Sequence, residues 1–305
     1  MTDKFFIGID IGGGSAKIGL VNCDGAILAR HRIPVKNGED AHQILNSYGT
    51  AIENLMREVN AAQLGGIGVG FPGHILPDFA SGANSNVPAL DGQPVADILA
   101  RRFACPARLV NDADAGAIAE YRFGAGRGVD RLLLVTIGTG IGVSLISGGA
   151  PFNAANGALG DAGHILLVPE NPVRCRQGCL GCLESVASGA AIDIQARKLY
   201  RDAPEGGGTA TLVRNAMAGQ PEALAVIAEA GKWIGMAAAT WCNLFAPDRV
   251  LIGGGISAVG ESLVDAIRAE AHRRAMPCNV QDTAFARAQL GNDAGMIGAA
   301  CMVMF

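Results

Sequence analysis

The chain has 305 residues, of which 50% are hydrophobic and 17% charged, with a formal net charge of -4. That length accommodates two domains with separate cores. A slightly negative chain without a basic arm argues against a nucleic-acid surface, so no nucleic-acid partner is expected. No uninterrupted apolar run reaches transmembrane length, so no membrane partner is expected either. Met1-Thr2-Asp3-Lys4 runs directly into an apolar segment, so no signal peptide is expected. The expected compartment is therefore the cytoplasm. The 43 glycines point to many turns and close backbone approaches. The 8 cysteines, in a reducing compartment, read first as metal ligands wherever they cluster.

In chain order, Phe5–Asp10 is an apolar run that reaches Gly12-Gly13-Gly14-Ser15, continues through Lys17–Val21 and turns at Asp24-Gly25. This spacing predicts strand, glycine turn, strand. Ile27–Val35 is predicted as a third strand. Ala41–Ala62 carries helical spacing in Ile44, Leu45, Ile52, Leu55, Met56 and Val59. Gly66–Gly70 is a short buried strand stopped by Phe71-Pro72-Gly73, Val95–Phe103 a helix, Ala107–Val110 a strand ending at Asn111-Asp112, and Ala115–Tyr121 a helix. Leu132–Ile137, Gly138-Thr139-Gly140 and Ile141–Ile146 then repeat the opening device. Gly206–Gly208 reads as a loop. Leu224–Phe245 is a long apolar helix, buried between layers and ended by Ala246-Pro247. Arg249–Ile252 is a strand running into Gly253-Gly254-Gly255, and Gly295–Val303 is a closing helix. Strands alternating with helices after a meander imply an α/β fold with mixed sheets.

Four constellations carry chemistry. Asp10 with Gly12, Gly13, Gly14 and Ser15 suits a phosphate turn, because such turns expose backbone N–H groups and a neighbouring carboxylate can hold Mg²⁺. The rival reading is a dinucleotide loop, but that loop should open a helix, and here a second strand follows. Asn111-Asp112 ends a buried strand, where a carboxylate can take a proton from an attacking hydroxyl. A helix N-cap for the segment from Ala115 explains Asp112 equally well, with Asp114 competing for that role. His164, Cys175, Cys179 and Cys182 offer three thiols and an imidazole for a tetrahedral zinc site, against a set of free buried cysteines. Asn86, Asp161, His164 and Glu184, joined to Asn111 and Asp112, supply the amides and carboxylates that sugars need; taken singly, Glu184 also reads as a helix cap and Asn86 as a turn residue.

At these residues the chain resembles the ROK-family sugar kinases of the glucokinase type, within the actin-like ATPase superfold. The resemblance runs through Ile9-Asp10-Ile11-Gly12-Gly13 with Lys17, Gly70–Gly73, Asn111–Ala115, Ile137–Gly142, Gly160–His164, Gly181–Glu184, Gly253–Ile256 and Gly298–Ala300. It implies an α/β chain of two actin-like (ribonuclease H-like) domains, with mixed sheets flanked by helices around an interdomain cleft. The expected domains are 1–115 and 116–291, with residues 292–305 packing back onto the first. The implied activity is ATP-dependent phosphorylation of a hexose, with Asp112 as general base. Gly73, Asn86, Asn111, Asp112, Asp161, His164 and Glu184 would bind the sugar. Asp10, Gly12, Gly13, Gly14, Ser15, Lys17, Gly138, Thr139 and Gly140 would serve the phosphates and Mg²⁺, and Gly254 and Gly255 the nucleoside. Zn²⁺ would be structural, and the protein a homodimer.

Three positions differ from the family pattern. Gly14 replaces a hydroxyl residue, with Ser15 following it. Asp161 replaces a glutamate. Gln177 stands where the family carries the middle cysteine, and Cys179 follows two places later as the alternative ligand. Other hexoses and N-acetylhexosamines fit the same motifs. A sugar sensor without catalysis is the rival of another class.

Overall fold

The structure, a computed structural model, describes residues 4–36, 38–153, 161–201 and 207–304. Residues 1–3, Gly160 and Gly206, named above, lie outside the described residues. The chain forms two compact units, Met1–Arg127 with Gly149–Gly160 and Asn292–Phe305, and Gly128–Gly148 with Asp161–Gly291.

The first unit opens with β1 (Phe5–Ile11), β2 (Ser15–Asn22) and β3 (Ile27–Pro34), followed by α1 (Ala41–Glu58) and β4 (Leu64–Phe71). A small hairpin, β5 (His74–Ile75) and β6 (Gly82–Ala83), precedes α2 (Val95–Phe103), β7 (Ala107–Asn111) and α3 (Asp112–Phe123). Strand order is β3-β2-β1-β4-β7, with the β1–β2 and β2–β3 pairs antiparallel and the β1–β4 and β4–β7 pairs parallel. Helices cover both faces of the central strands, so these strands are continuous apolar runs, whereas edge strand β3 alternates. Helix α1 begins at a capping box. Asp40 accepts from the Gln43 N–H at 2.8 Å, and the Gln43 side chain accepts from the Asp40 N–H at 3.0 Å. The helix stops at Glu58, short of the expected Ala62, because Val59 leaves helical geometry and Asn60 takes a left-handed φ of 55°.

The second unit repeats the plan. It contains β8 (Arg131–Ile137) and β9 (Ile141–Ser147), then, beyond the two-residue β10 (Ala150–Pro151) of the first unit, α4 (Glu184–Ala187), α5 (Gly189–Leu199), α6 (Gly208–Met217) and α7 (Pro221–Phe245). It ends with β11 (Arg249–Gly253), α8 (Glu261–Arg274), α9 (Pro277–Val280) and β12 (Ala284–Arg287). The order β9-β8-β11-β12 matches β2-β1-β4-β7, with one antiparallel pair and two parallel pairs in the same places. The opening device is therefore repeated in fold as well as in sequence.

The last helix, α10 (Ala294–Cys301), packs on β1, β4 and α3 of the first unit. Close approach of helix to sheet requires Gly8 and Gly68, since a Cβ on either would collide with the α10 backbone at Met296 and Ala299. The border read at 115/116 falls inside α3. That helix packs on α10, so the first unit continues through Arg127.

The longest apolar helix is interrupted by Glu229 and Lys232, as the sequence indicates. Helix α7 is long and apolar enough to cross a membrane by length and composition, with half of its most apolar 18-residue window buried within the chain. Ile227, Ile234 and Trp241 are buried, and the helix lies along α8. It ends where Ala246 adopts a left-handed φ of 40° before Pro247.

Candidate active site

The first unit brings together Asp10, the Gly12–Gly14 turn, Ser15, Lys17, Gly73, Asn86, Asn111 and Asp112. The turn closes with the Gly12 N–H donating to the Ser15 carbonyl at 3.0 Å. The Gly14 carbonyl accepts from the Val35 N–H at 3.2 Å, which ties the turn to the segment after β3. Gly13 and Gly14 are exposed, and neither N–H has a hydrogen-bond partner among the described residues, which suits a phosphate turn. A Cβ built on Gly13 would lie 3.6 Å from the Asn86 side chain. A residue assigned to the sugar therefore adjoins the turn assigned to phosphate.

Asp10, at the end of β1, accepts from Lys17 Nζ through Oδ2 at 3.0 Å, and the same ammonium donates to the Asn292 carbonyl at 2.9 Å. The Asp10 Oδ1 has no hydrogen bond among the described residues. One free carboxylate oxygen beside a phosphate turn fits Mg²⁺, which prefers one or two carboxylates, phosphate oxygens and water.

Helix α3 begins at Asp112, three residues before the expected start. Its N-cap is Asn111, whose side-chain oxygen accepts from the N–H groups of Ala113 (3.0 Å) and Asp114 (3.3 Å). Neither Asp112 nor Asp114 caps the helix, which removes that rival reading of Asp112. Asn111 Nδ2 donates to the Gly73 carbonyl at 3.1 Å and holds the end of β7 against the loop after β4. Asp112 follows the cap with its carboxylate exposed, one oxygen accepting from the Ala113 N–H at 2.9 Å. Solvent reaches the carboxylate, yet surrounding protein displaces much of its hydration shell. That desolvation, with the like charge of Asp10, outweighs the backbone hydrogen bonds and pushes its pKa up to about 6.

The second unit brings together Gly138, Thr139, Gly140, His164, Glu184 and the cysteines. The turn after β8 closes with the Gly138 N–H donating to the Gly140 carbonyl at 3.0 Å. The carbonyls of Gly138 and Thr139 accept from the N–H groups of Gly189 and Ala190 at the start of α5 (2.8 and 3.2 Å). Glu184 is buried against Gly140, and its Oε2 accepts from the Ile141 N–H at 3.0 Å. It begins α4 itself and braces the turn, contrary to the helix-cap alternative. His164 Nε2 lies 4.0 Å from the same oxygen. Asp161 is exposed at the head of the 3-10 turn that carries His164, its carbonyl accepting from the His164 N–H at 2.7 Å. Gly254 follows β11 at a φ of 83°, and a side chain there would run into the Ile137 backbone, so glycine is required.

His164 Nδ1 lies 3.7, 3.2 and 3.6 Å from the sulfurs of Cys175, Cys179 and Cys182, and the Cys175 and Cys179 sulfurs are 3.3 Å apart. A tetrahedral zinc with ordinary bond lengths requires ligand separations of about 3.5–3.8 Å, so the four donors are grouped tightly enough to hold a zinc ion after a small outward shift of the sulfurs. Cys179 takes the third cysteine position, and Gln177 contributes a backbone hydrogen bond to Cys175. The loop places it there because the Cys175 N–H donates to the Cys179 carbonyl at 2.9 Å and the Gly178 N–H to the Cys175 carbonyl at 3.1 Å. Without a cation the three thiols titrate apart. Burial and the neighbouring sulfurs push Cys179 up to about 12 and raise Cys182. At Cys175 burial opposes the thiolate, but hydrogen bonds from Cys179 and from backbone N–H groups prevail and lower the pKa.

The residue-by-residue reading missed Arg32 and Asn292. Arg32 Nε donates to Ser15 Oγ at 2.9 Å. Alternation along β3, with Arg32 directly opposite Lys17, is the signal that could have found it. Asn292 acts through its carbonyl, which carries no sequence signal.

A family model described as the ROK family matches residues 6–304. The glucokinase of Halalkalibacterium halodurans is 31% identical, over 99% of this chain and 96% of its own length. The crystal structure of a ROK family glucokinase from Streptomyces griseus in complex with glucose and AMPPNP superposes with a TM-score of 0.83 at 29% identity, covering 98% of each chain. The xylose repressor of Caldicellulosiruptor bescii is 28% identical over 98% of this chain and 77% of its own length. Fold, glycine turns and relatives together define a class, the ATP-dependent sugar kinases with an actin-like fold. Within that class, this chain belongs to the ROK family.

Proposed function

We propose that this chain transfers the terminal phosphoryl group of ATP to a hexose, most directly glucose at its 6-hydroxyl, with Asp112 as general base. The observation that carries this reading lies within the first unit. Asp112 stands free of capping duty beside Asn111, with a pKa raised to about 6, while Asn86 adjoins the phosphate turn at Gly13. Phosphoryl transfer needs an oriented hydroxyl, a base and a clamp on the phosphates.

In this reading Asn86, Asn111 and the Gly73 loop orient the sugar. An Asp112 oxygen accepts the hydroxyl proton as the hydroxyl oxygen bonds to phosphorus and the bond to the ADP oxygen breaks. A pKa near 6 keeps Asp112 ionised at neutral pH and still basic enough to take that proton. N–H groups at Gly12–Gly14 and Gly138–Gly140 stabilise the charge that develops on the phosphoryl oxygens. Asp10 would hold Mg²⁺, whose role is to neutralise charge on the phosphates. Asp161, His164 and Glu184 serve further hydroxyls. His164 Nδ1 with Cys175, Cys179 and Cys182 would hold a structural Zn²⁺ that fixes the His164 ring. The three thiols need a reducing compartment, which supports the cytoplasm.

The test is sugar-dependent ADP release with MgATP across hexoses and N-acetylhexosamines. Glucose as the best acceptor supports the reading, and another best acceptor replaces the substrate but keeps the mechanism. The repressor relatives favour one rival, a sensor. Sugar binding without ADP release would select it.

A further inference from the structure

We propose that Arg32 binds the terminal phosphate of the phosphoryl donor, replacing the side-chain donor that the first glycine turn lacks at Gly14. The proposal rests on the kinase reading for the identity of the donor. Its basis is the β2–β3 ladder. Lys17 pairs with Arg32 and Gly19 with Arg30, so Ser15, Lys17, Arg30 and Arg32 share one face. The opposite face carries Ala16, Ile18 and Leu20 with His31, which bonds Glu58 of α1. Of the three cations on the first face, two have carboxylate partners. Lys17 bonds Asp10 and Arg30 bonds Asp293 at 2.9 and 3.0 Å. Arg32 faces no carboxylate among the described residues. Its single hydrogen bond there is Nε to Ser15 Oγ, which leaves both Nη groups open.

That one bond has two consequences. It fixes the guanidinium plane at the mouth of the turn, where two remaining nitrogens can grip a phosphate together. It also occupies an acceptor site on Ser15 Oγ, so the serine's own proton is free to donate. A Cβ built on Gly14 meets nothing within 4 Å, so the space beside the turn is open. The end of the phosphate chain is specified because Gly13 adjoins Asn86, and the phosphate next to the acceptor is the one being transferred. An exposed arginine left in solvent would need neither the tether to Ser15 nor this register. The ligand chemistry is a terminal phosphate on a polyphosphate chain, whether of ATP or of inorganic polyphosphate.

The experiment is titration calorimetry of MgATP, MgADP and magnesium inorganic triphosphate into the wild type, Arg32→Gln and Arg32→Lys. A lost charged hydrogen bond should weaken MgATP binding by roughly tenfold or more in Arg32→Gln. MgADP should change by less than about twofold, and Arg32→Lys should fall between. Inorganic triphosphate binding that drops in parallel would mark inorganic polyphosphate as a donor for the same subsite. Unchanged MgATP binding, or equal losses for MgATP and MgADP, would overturn the proposal. Binding is read without turnover, so a wild type that phosphorylates no sugar would sink the kinase reading and still decide Arg32. If Arg32→Gln failed to fold, the lysine variant would decide it through the same ratio of MgATP to MgADP.

Discussion

Asp112→Asn separates the base from everything else the residue does. Asparagine keeps the size and retains an oxygen for the Ala113 N–H, and Asn111 still caps α3. Proton acceptance is lost together with the negative charge. Positioned bases contribute roughly 10²–10⁴-fold, so kcat should fall about a thousandfold, which corresponds to about 4 kcal/mol of barrier. Sugar affinity, read by thermal shift, should stay within a few-fold. The wild type supplies a second reading. With a pKa near 6, the active ionised form is lost as pH falls through 6, and at pH 5 about a tenth remains. In a coupled ADP-release assay, kcat/KM should therefore drop about tenfold per unit on the acid side. Linkage adds a stability test. The folded-state pKa lies above the ordinary carboxyl value, so the native state takes up protons that the unfolded chain does not between about pH 4 and 6. Stability falls as pH rises through that window, and above it the charged carboxylate is a standing penalty. Asp112→Asn should thus melt no lower than the wild type at pH 7.5, and higher if the penalty is large. More than about a tenth of wild-type kcat in the variant, or a flat acid limb, would refute the base assignment.

The other expectations concern the supports around that base. Metal analysis of unchelated protein should find about one zinc per chain, and Cys179→Ser should lose most of it while Gln177→Ala loses none. Full zinc in Cys179→Ser would remove Cys179 from the ligand set. Glu184→Ala strips the buried Ile141 N–H of its partner, at a cost of about 1–3 kcal/mol in denaturant unfolding, and should weaken sugar binding as well. Unchanged stability would show that the turn does not need this brace. Asn111→Ala removes the α3 cap and should cost about 1 kcal/mol, with a rise in sugar KM from the loss of its bond to Gly73. Gly68→Ala forces a methyl against the Ala299 carbonyl, and a loss of about 1–3 kcal/mol is expected from overpacking; a silent variant would mean that α10 moves aside without cost.

Much of the candidate site was legible because glycine turns and strand ends have local signatures. Gly12–Gly14 after an apolar run, Gly138–Gly140 after a second, and Asn111-Asp112 at a strand stop were placed from residue type and spacing, and the structure puts each where an apolar strand ends. Spacing could not say whether Asp112 or Asp114 caps α3, since both are suitable residue types. Asn111 took the cap because its side chain reaches two free N–H groups at the helix start, and Asp112 was released. The same limit applied to Cys179, whose position depends on a backbone loop that folds it back onto Cys175.

The sequence by itself determined the repeated strand–turn–strand units, the apolar faces and the glycines, because those depend on local periodicity and on steric freedom at single residues. Tertiary structure alone decided the long-range pairings. It set Arg32 against Ser15, the Asn292 carbonyl on Lys17, and Glu184 under the Ile141 N–H, across separations of 17, 275 and 43 residues. The two longest leave no local pattern. They form because packing brings distant polar groups together, and the buried pair, Glu184 with the Ile141 N–H, is the one that has left water and must find its partner there.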